Sequence, residues 1–158
     1  MRGSRAGNYR RRIDKFRGSR ASSEYVVTIN DVDYYNDSKA TNVDAAVKAL
    51  ESFERPVVLI GGGYDKNTDF SPWVELFGKK VARLIVLGQT ARQITEACDK
   101  AGFSAYEEVA SLKDAVARAR DLAKAGQVVL FSPACASFDM FKNFEERGDL
   151  FKQYVGGM

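Results

Sequence analysis

The sequence predicts a doubly wound α/β fold: a mostly parallel, Rossmann-like sheet with helices on both faces and an antiparallel hairpin at one edge. Three observations lead there. The runs 56–60 (PVVLI), 81–87 (VARLIVL) and 127–131 (QVVLF) are apolar at nearly every position, the mark of parallel strands covered on both sides. The segments between them carry apolar residues at helical spacing, so strands alternate with crossover helices, and those crossovers are right-handed. Two β-rich runs, Tyr25–Ile29 and Val32–Tyr35, flank Asn30-Asp31, a turn signal that makes the pair a hairpin.

The elements follow in order. Residues 1–24 show neither alternation nor a helical stripe and read as an exposed, partly disordered basic arm or a vector-derived leader; the domain proper is 25–158. After the hairpin and a polar loop at 36–42, Val43, Ala46, Val47 and Leu50 mark a helix of about three turns. The strand at 56–60 runs into Gly61-Gly62-Gly63, and a short helix is expected over Pro72–Phe77. Past the strand at 81–87, Ile94, Ala97, Cys98 and Ala101 share one helical face, and Phe103–Glu107 suits a short strand. Ser111 to Asp114 resembles a capping box opening a helix with the stripe Leu112, Ala115, Val116, Ala119, Leu122. The last strand is 127–131, and a helix from Asn143 to Val155 turns Phe144, Phe151 and Tyr154 inward. No internal repeat or low-complexity segment is present.

Composition excludes several chemistries. The chain has no histidine, so it has no Ser-His-Asp or Cys-His pair, no His-ligated zinc and no imidazole base. Cys98 and Cys135 are far apart with no secretory signal, which favours free thiols in a reducing, cytoplasmic setting. No apolar run approaches the ~20 residues needed to span a bilayer. The net charge of +3 is uneven: residues 1–25 hold eight Lys/Arg against two acids, leaving a mildly acidic body. Arg10-Arg11-Arg12, Lys15, Arg17 and Arg20, interleaved with Tyr9 and Phe16, would suit a nucleic acid or polyphosphate, although blocks of like charge are usually solvated tails. An engineered scaffold with an added leader is a third reading of the same arm.

In a sheet of this kind ligands gather beyond the carboxyl ends of the strands. Three polar loops follow strands: Asn36–Asn42, Gly61–Lys66 and Ser132–Ser137. Two carry a lysine and the third ends in a hydroxyl, a donor-rich rim suited to carboxylates or phosphates, with helix N-termini after the first and third. Each also has a plainer reading. The glycine run is neither a Walker A loop nor a dinucleotide fingerprint and on its own serves as a strand exit; Asp37, Thr41 and Asn42 suit a helix cap; the phenylalanines after Ser137 suit a core; Cys135 suits a buried, inert thiol. From the residues alone, the chain is an anion-binding α/β domain.

The stretches YYNDSKATNVDA (34–45), LIGGGYDK (59–66) and SPACASFDMFKNFEERGDLFK (132–152) resemble the Mur ligase family, and the core FKNFEERG points to its D-glutamate-adding branch. The resemblance covers about residues 25–155 and corresponds to the third, C-terminal domain of a three-domain enzyme. It implies ATP-dependent addition of D-glutamate to UDP-N-acetylmuramoyl-L-alanine in peptidoglycan precursor synthesis: Mg-ATP forms an acyl phosphate, and the amine of D-glutamate displaces phosphate. It implies that Lys66 pairs with one D-glutamate carboxylate, that Thr41, Ser137 and the Phe138 backbone hold the other, and that Phe144 packs nearby. Asp37, Lys39 and Asn42 are implied to face the nucleotide. Partners implied are D-glutamate and the N-terminal and central domains; no membrane is implied. The family's P-loop and metal-binding residues are not found in this sequence, so no catalytic residue, no metal ligand and no turnover are expected of these residues alone. Residues 1–23 depart from the family pattern, with Arg20-Ala21-Ser22-Ser23 where a Pro-His-Arg segment is common.

Overall fold

The computed structural model describes residues 23–65, 67–137 and 140–157. The basic arm read at 1–24 therefore falls almost wholly outside the described residues, as do Lys66 and Phe138. The chain runs β1 (Glu24–Ile29), β2 (Val32–Asn36), α1 (Val43–Glu51), β3 (Val57–Gly61), α2 (Ser71–Val74), α3 (Phe77–Lys80), β4 (Val81–Val86), α4 (Ala91–Ala101), β5 (Tyr106–Glu108), α5 (Leu112–Leu122), β6 (Val128–Phe131) and α6 (Phe144–Gly156).

The six strands form one sheet in the order β1-β2-β6-β3-β4-β5. β1 and β2 are antiparallel and every other pairing is parallel, as expected. Asn30 and Asp31 both take positive φ (54° and 64°), the geometry that lets a two-residue turn follow the twist of its strands. The last strand, β6, inserts between β2 and β3, which brings sequence-distant loops side by side.

Continuous apolarity in the strands has a direct structural cause. Val57, Leu59, Leu84, Val86, Val128 and Leu130 enter the core under α1, α2 and α4, whereas Val58, Ile60, Ile85, Val129 and Phe131 enter the opposite core under α5 and α6. Successive residues point to opposite faces, and both faces are dry. Trp73 and Phe77 close the first core edge to face, 5.0 Å between ring centroids.

Three expectations shift in detail. The single helix over Pro72–Phe77 is two one-turn helices, α2 and α3. The strand near 103–107 is shorter and later, Tyr106–Glu108. Ala101 is exposed rather than apolar-facing: α4 ends at Gly102 (φ 81°), and Phe103 packs against the core there, 5.4 Å from the Phe77 ring. The cap at Ser111 is as expected, its side chain accepting the Asp114 N–H. Among the described residues no helix is long and apolar enough to cross a membrane.

Candidate functional site

Because β2, β6 and β3 are neighbours, the loops leaving their carboxyl ends meet on one rim. The first and third loops are joined at their roots. The Asp37 N–H donates to the Phe131 carbonyl at 2.7 Å, and the Ser132 hydroxyl donates to the Asp37 carboxylate at 2.9 Å, with both residues buried. A second tie comes from α6. The Arg147 guanidinium, 2% exposed, donates from Nε to Ser38 Oγ (2.8 Å) and from Nη2 to the Ser38 carbonyl (2.7 Å). Ser38 Oγ in turn donates to the Phe144 carbonyl at 2.8 Å. The same guanidinium lies 5.8 Å above the Phe131 ring. Gly148 follows because the helix approaches β2 closely: a Cβ there would fall 2.9 Å from Asn36 Nδ2. Asn143 caps α6, accepting the Glu146 N–H, while Glu146 accepts the Lys142 N–H. The segment from Lys142 to Gly148 is therefore a helix start joined to an arginine clamp.

The glycine loop is tied on both flanks. Gly61 accepts the Leu87 N–H (3.1 Å), and Gly62 donates to the Pro133 carbonyl (2.9 Å). Gly63 both donates to the Thr90 hydroxyl and accepts the Thr90 N–H, at 3.0 Å each. Tyr64 and Ala136 exchange two backbone bonds, 2.9 and 3.0 Å, as an isolated antiparallel bridge. Glycine is required by contact and not only by conformation. Gly62 has φ 108°, and a Cβ on it would meet the Leu87 carbonyl oxygen at 2.1 Å; one on Gly63 would meet the Ala136 carbonyl at 2.5 Å. The strand-exit reading of this run is thus correct as far as it goes, with a close three-loop junction as its cause.

The residues singled out by sequence differ in their settings, and Lys66 and Phe138 lie outside the described residues. Ser137 is 2% exposed and sits one residue past the Tyr64–Ala136 bridge, its carbonyl accepting the N–H groups of Met140 and Phe141. Thr41, Asn42 and Lys39 are exposed on the first loop; Asn42 caps α1 by accepting the Ala45 N–H. Phe144 is half-buried and lines an open groove of about 230 Å³ with Lys39, Asn36, Ser38 and Lys152. Asp37, expected to face a nucleotide, is 1% exposed and its carboxylate accepts the Ser132 hydroxyl, a bond that joins two of the loops at the rim. Cys98 and Cys135 are both buried free thiols, and burial pushes the Cys98 thiol up to about 12.

Sequence reasoning missed Ser38, Thr90, Ser132 and Arg147. Arg147 left a readable signal, since it falls between Phe144 and Phe151 on the inward stripe of α6, where a charge demands buried partners. Thr90 left none, because a threonine before a helix ordinarily reads as a cap.

The sequence profile of the family described as Mur ligase, glutamate ligase domain, matches residues 23–135, well over half of the chain. The chain belongs to the Mur ligase family. Relatives of this Mur ligase domain include the UDP-N-acetylmuramoylalanine–D-glutamate ligase of Caldicellulosiruptor bescii, 49% identical over 143 residues, 90% of this chain and 31% of that protein. The protein of the same name from Pelotomaculum thermopropionicum is 49% identical over 152 residues, 96% of this chain and 32% of that protein, an alignment that reaches into the basic arm. The chain thus spans about a third of the length of the curated relatives it matches. Among solved structures, a murein peptide ligase from Psychrobacter arcticus superposes with TM-score 0.56 at 14% identity, covering 85% of this chain and 30% of that one. A domain assigned to a UDP-N-acetylmuramate:L-alanyl-γ-D-glutamyl-diaminopimelate ligase of Haemophilus ducreyi gives 0.52 at 11%, covering 80% and 93%. At such identities the structures speak for the fold, and it is the same α/β architecture.

Proposed function

We propose that this Mur ligase domain binds D-glutamate for an ATP-dependent ligase that joins it to UDP-N-acetylmuramoyl-L-alanine in the cytoplasm, and that it closes onto an ATPase domain during the reaction. The observation that carries the reading is the two-bond bridge between Tyr64 and Ala136. It holds the glycine loop, from which Lys66 follows in sequence, against the loop ending in Ser137. The names borne by relatives at nearly half identity point the same way.

A dianionic amino acid needs separated donors and a free amine. In this reading the Lys66 ammonium takes one carboxylate as a charge-assisted pair, and Thr41, Ser137 and the Phe138 N–H take the other. Phe144 covers the aliphatic carbons and excludes water. Positioning of this kind removes much of the entropic barrier to a bimolecular attack. The nucleotide side falls to Lys39 and Asn42, which are exposed; Asp37 would support them from below through its hold on Ser132. When bound, Mg-ATP supplies the phosphoryl group that activates the acceptor carboxyl. The exposed Lys39 ammonium suits a phosphate oxygen, and we assign no magnesium ligand to the described residues.

Titrating the isotopically labelled chain with D-glutamate, and with L-glutamate as control, tests the binding half. Selective shifts at Thr41, Lys66 and Ser137 with the D-isomer are expected, and Lys66→Ala is expected to weaken them at least about tenfold, the loss of one charge-assisted contact. Equal, nonspecific responses to both isomers would argue against an assembled site. Adding the N-terminal and central domains of a relative, together with UDP-N-acetylmuramoyl-L-alanine and Mg-ATP, should yield D-glutamate-dependent release of phosphate.

A further inference from the structure

Thr90 stands at the N-cap position of α4, where threonine normally satisfies a helix N–H with its side chain, yet its hydroxyl makes no capping bond. The side chain is fully buried and is committed elsewhere. It accepts the Gly63 N–H at 3.0 Å and shares a hydrogen bond with Cys135 Sγ at 3.3 Å, while the Thr90 N–H donates to the Gly63 carbonyl at 3.0 Å. One residue from a fourth loop, the one leaving β4, thereby touches both loops that flank the proposed amino-acid site. Gly63 lies directly before the bridged Tyr64, and Cys135 directly before the bridged Ala136. Thr90 thus ties the two loops to each other immediately before that bridge.

We propose that Thr90 is a positioning residue for D-glutamate recognition: it contacts no ligand, and sets the spacing between the glycine loop and the Ser137 loop. This rests on the binding role proposed above. A hydroxyl able to accept from one loop and to share a hydrogen with the sulfur of the other fixes their separation, which a methyl group of the same size cannot do. An unpaired Gly63 N–H at this depth would pull the loop toward other partners.

The test uses the full chain with Thr90→Val, which keeps the shape and removes the hydroxyl, and Thr90→Ser, which keeps the hydroxyl. Exchange of the Gly63 amide and the D-glutamate dissociation constant are measured together. Thr90→Val is expected to speed Gly63 exchange and to weaken D-glutamate by about five- to tenfold, with Thr90→Ser restoring both. Cys135→Ala should move the Ser137 resonance and leave Gly63 exchange near wild type, and it serves as the second variant should Thr90→Val not fold. A folded Thr90→Val protein that binds D-glutamate like wild type overturns the proposal, because a purely structural threonine would lower stability alone. If the wild-type chain ignores D-glutamate, the functional reading fails separately. Thr90 is then judged on the loops: unmoved Gly63 and Ser137 resonances in Thr90→Val sink the positioning role, and moved ones rescued by serine sustain it.

Discussion

Arg147 is among the largest side chains fully buried in this protein, and it reaches across the interior to the first loop's Ser38. Burying a guanidinium is favourable only where its donors are met, and a planar fork meets two acceptors at once in a way an ammonium does not. Replacing it with methionine keeps the length and removes the donors, leaving the Ser38 carbonyl without that partner. Arg147→Met is therefore expected to lower the unfolding free energy by about 3 kcal/mol, with Arg147→Lys intermediate. Urea unfolding of the two variants measures this. A methionine variant as stable as wild type would mean that the clamp contributes no stability.

Among the elements, β5 is the short edge strand, only three residues long, and side-chain charge holds it where backbone pairing is sparse. Glu107 accepts from Arg118 Nε at 2.6 Å and Nη2 at 3.1 Å, with Arg83 3.7 Å away, so strand and helix are joined across the surface. The Arg118 hydrogen bond holds the Glu107 carboxyl below its ordinary value of 4.5. A carboxyl whose folded pKa is depressed stabilises the protein above its unfolded pKa, and that contribution is lost as pH falls through the folded value. Both side chains are partly exposed, so the contribution is no more than about 1 kcal/mol. Glu107→Gln should consequently be less stable than wild type at pH 7, and the gap should close as pH falls through the depressed folded value. Stability curves that stay parallel through the full protonation of the carboxyl would remove the ion pair as the cause.

At the scale of the whole molecule, two cores share one sheet. Each central strand feeds both, so neither core can melt while the strands survive. Unfolding of residues 25–157 is expected in a single transition. The only tryptophan, Trp73, reports the first core by fluorescence, and the α5–α6 side can be followed by amide exchange. Separate midpoints for the two would show that the layers fold independently.

That architecture was legible in the chain because it rests on local periodicity. Strands buried on both faces must be apolar throughout, helices must carry a stripe, and the Asn30-Asp31 turn can adopt positive φ. Sequence alone also identified the three strand-end loops, since each is a polar segment directly after a predicted strand. Their arrangement was not local information. β6 is inserted between β2 and β3 by a crossover of chain far from both, and only that insertion brings Ser132 to Asp37, Ala136 to Tyr64 and Arg147 to Ser38. Asp37 illustrates the limit, because a short acidic side chain in a polar loop has the same sequence signature whether it faces solvent or a buried hydroxyl. Pattern along the chain determines which faces must be dry; which polar groups then find one another depends on contacts between distant segments, and these exist only once the sheet has assembled.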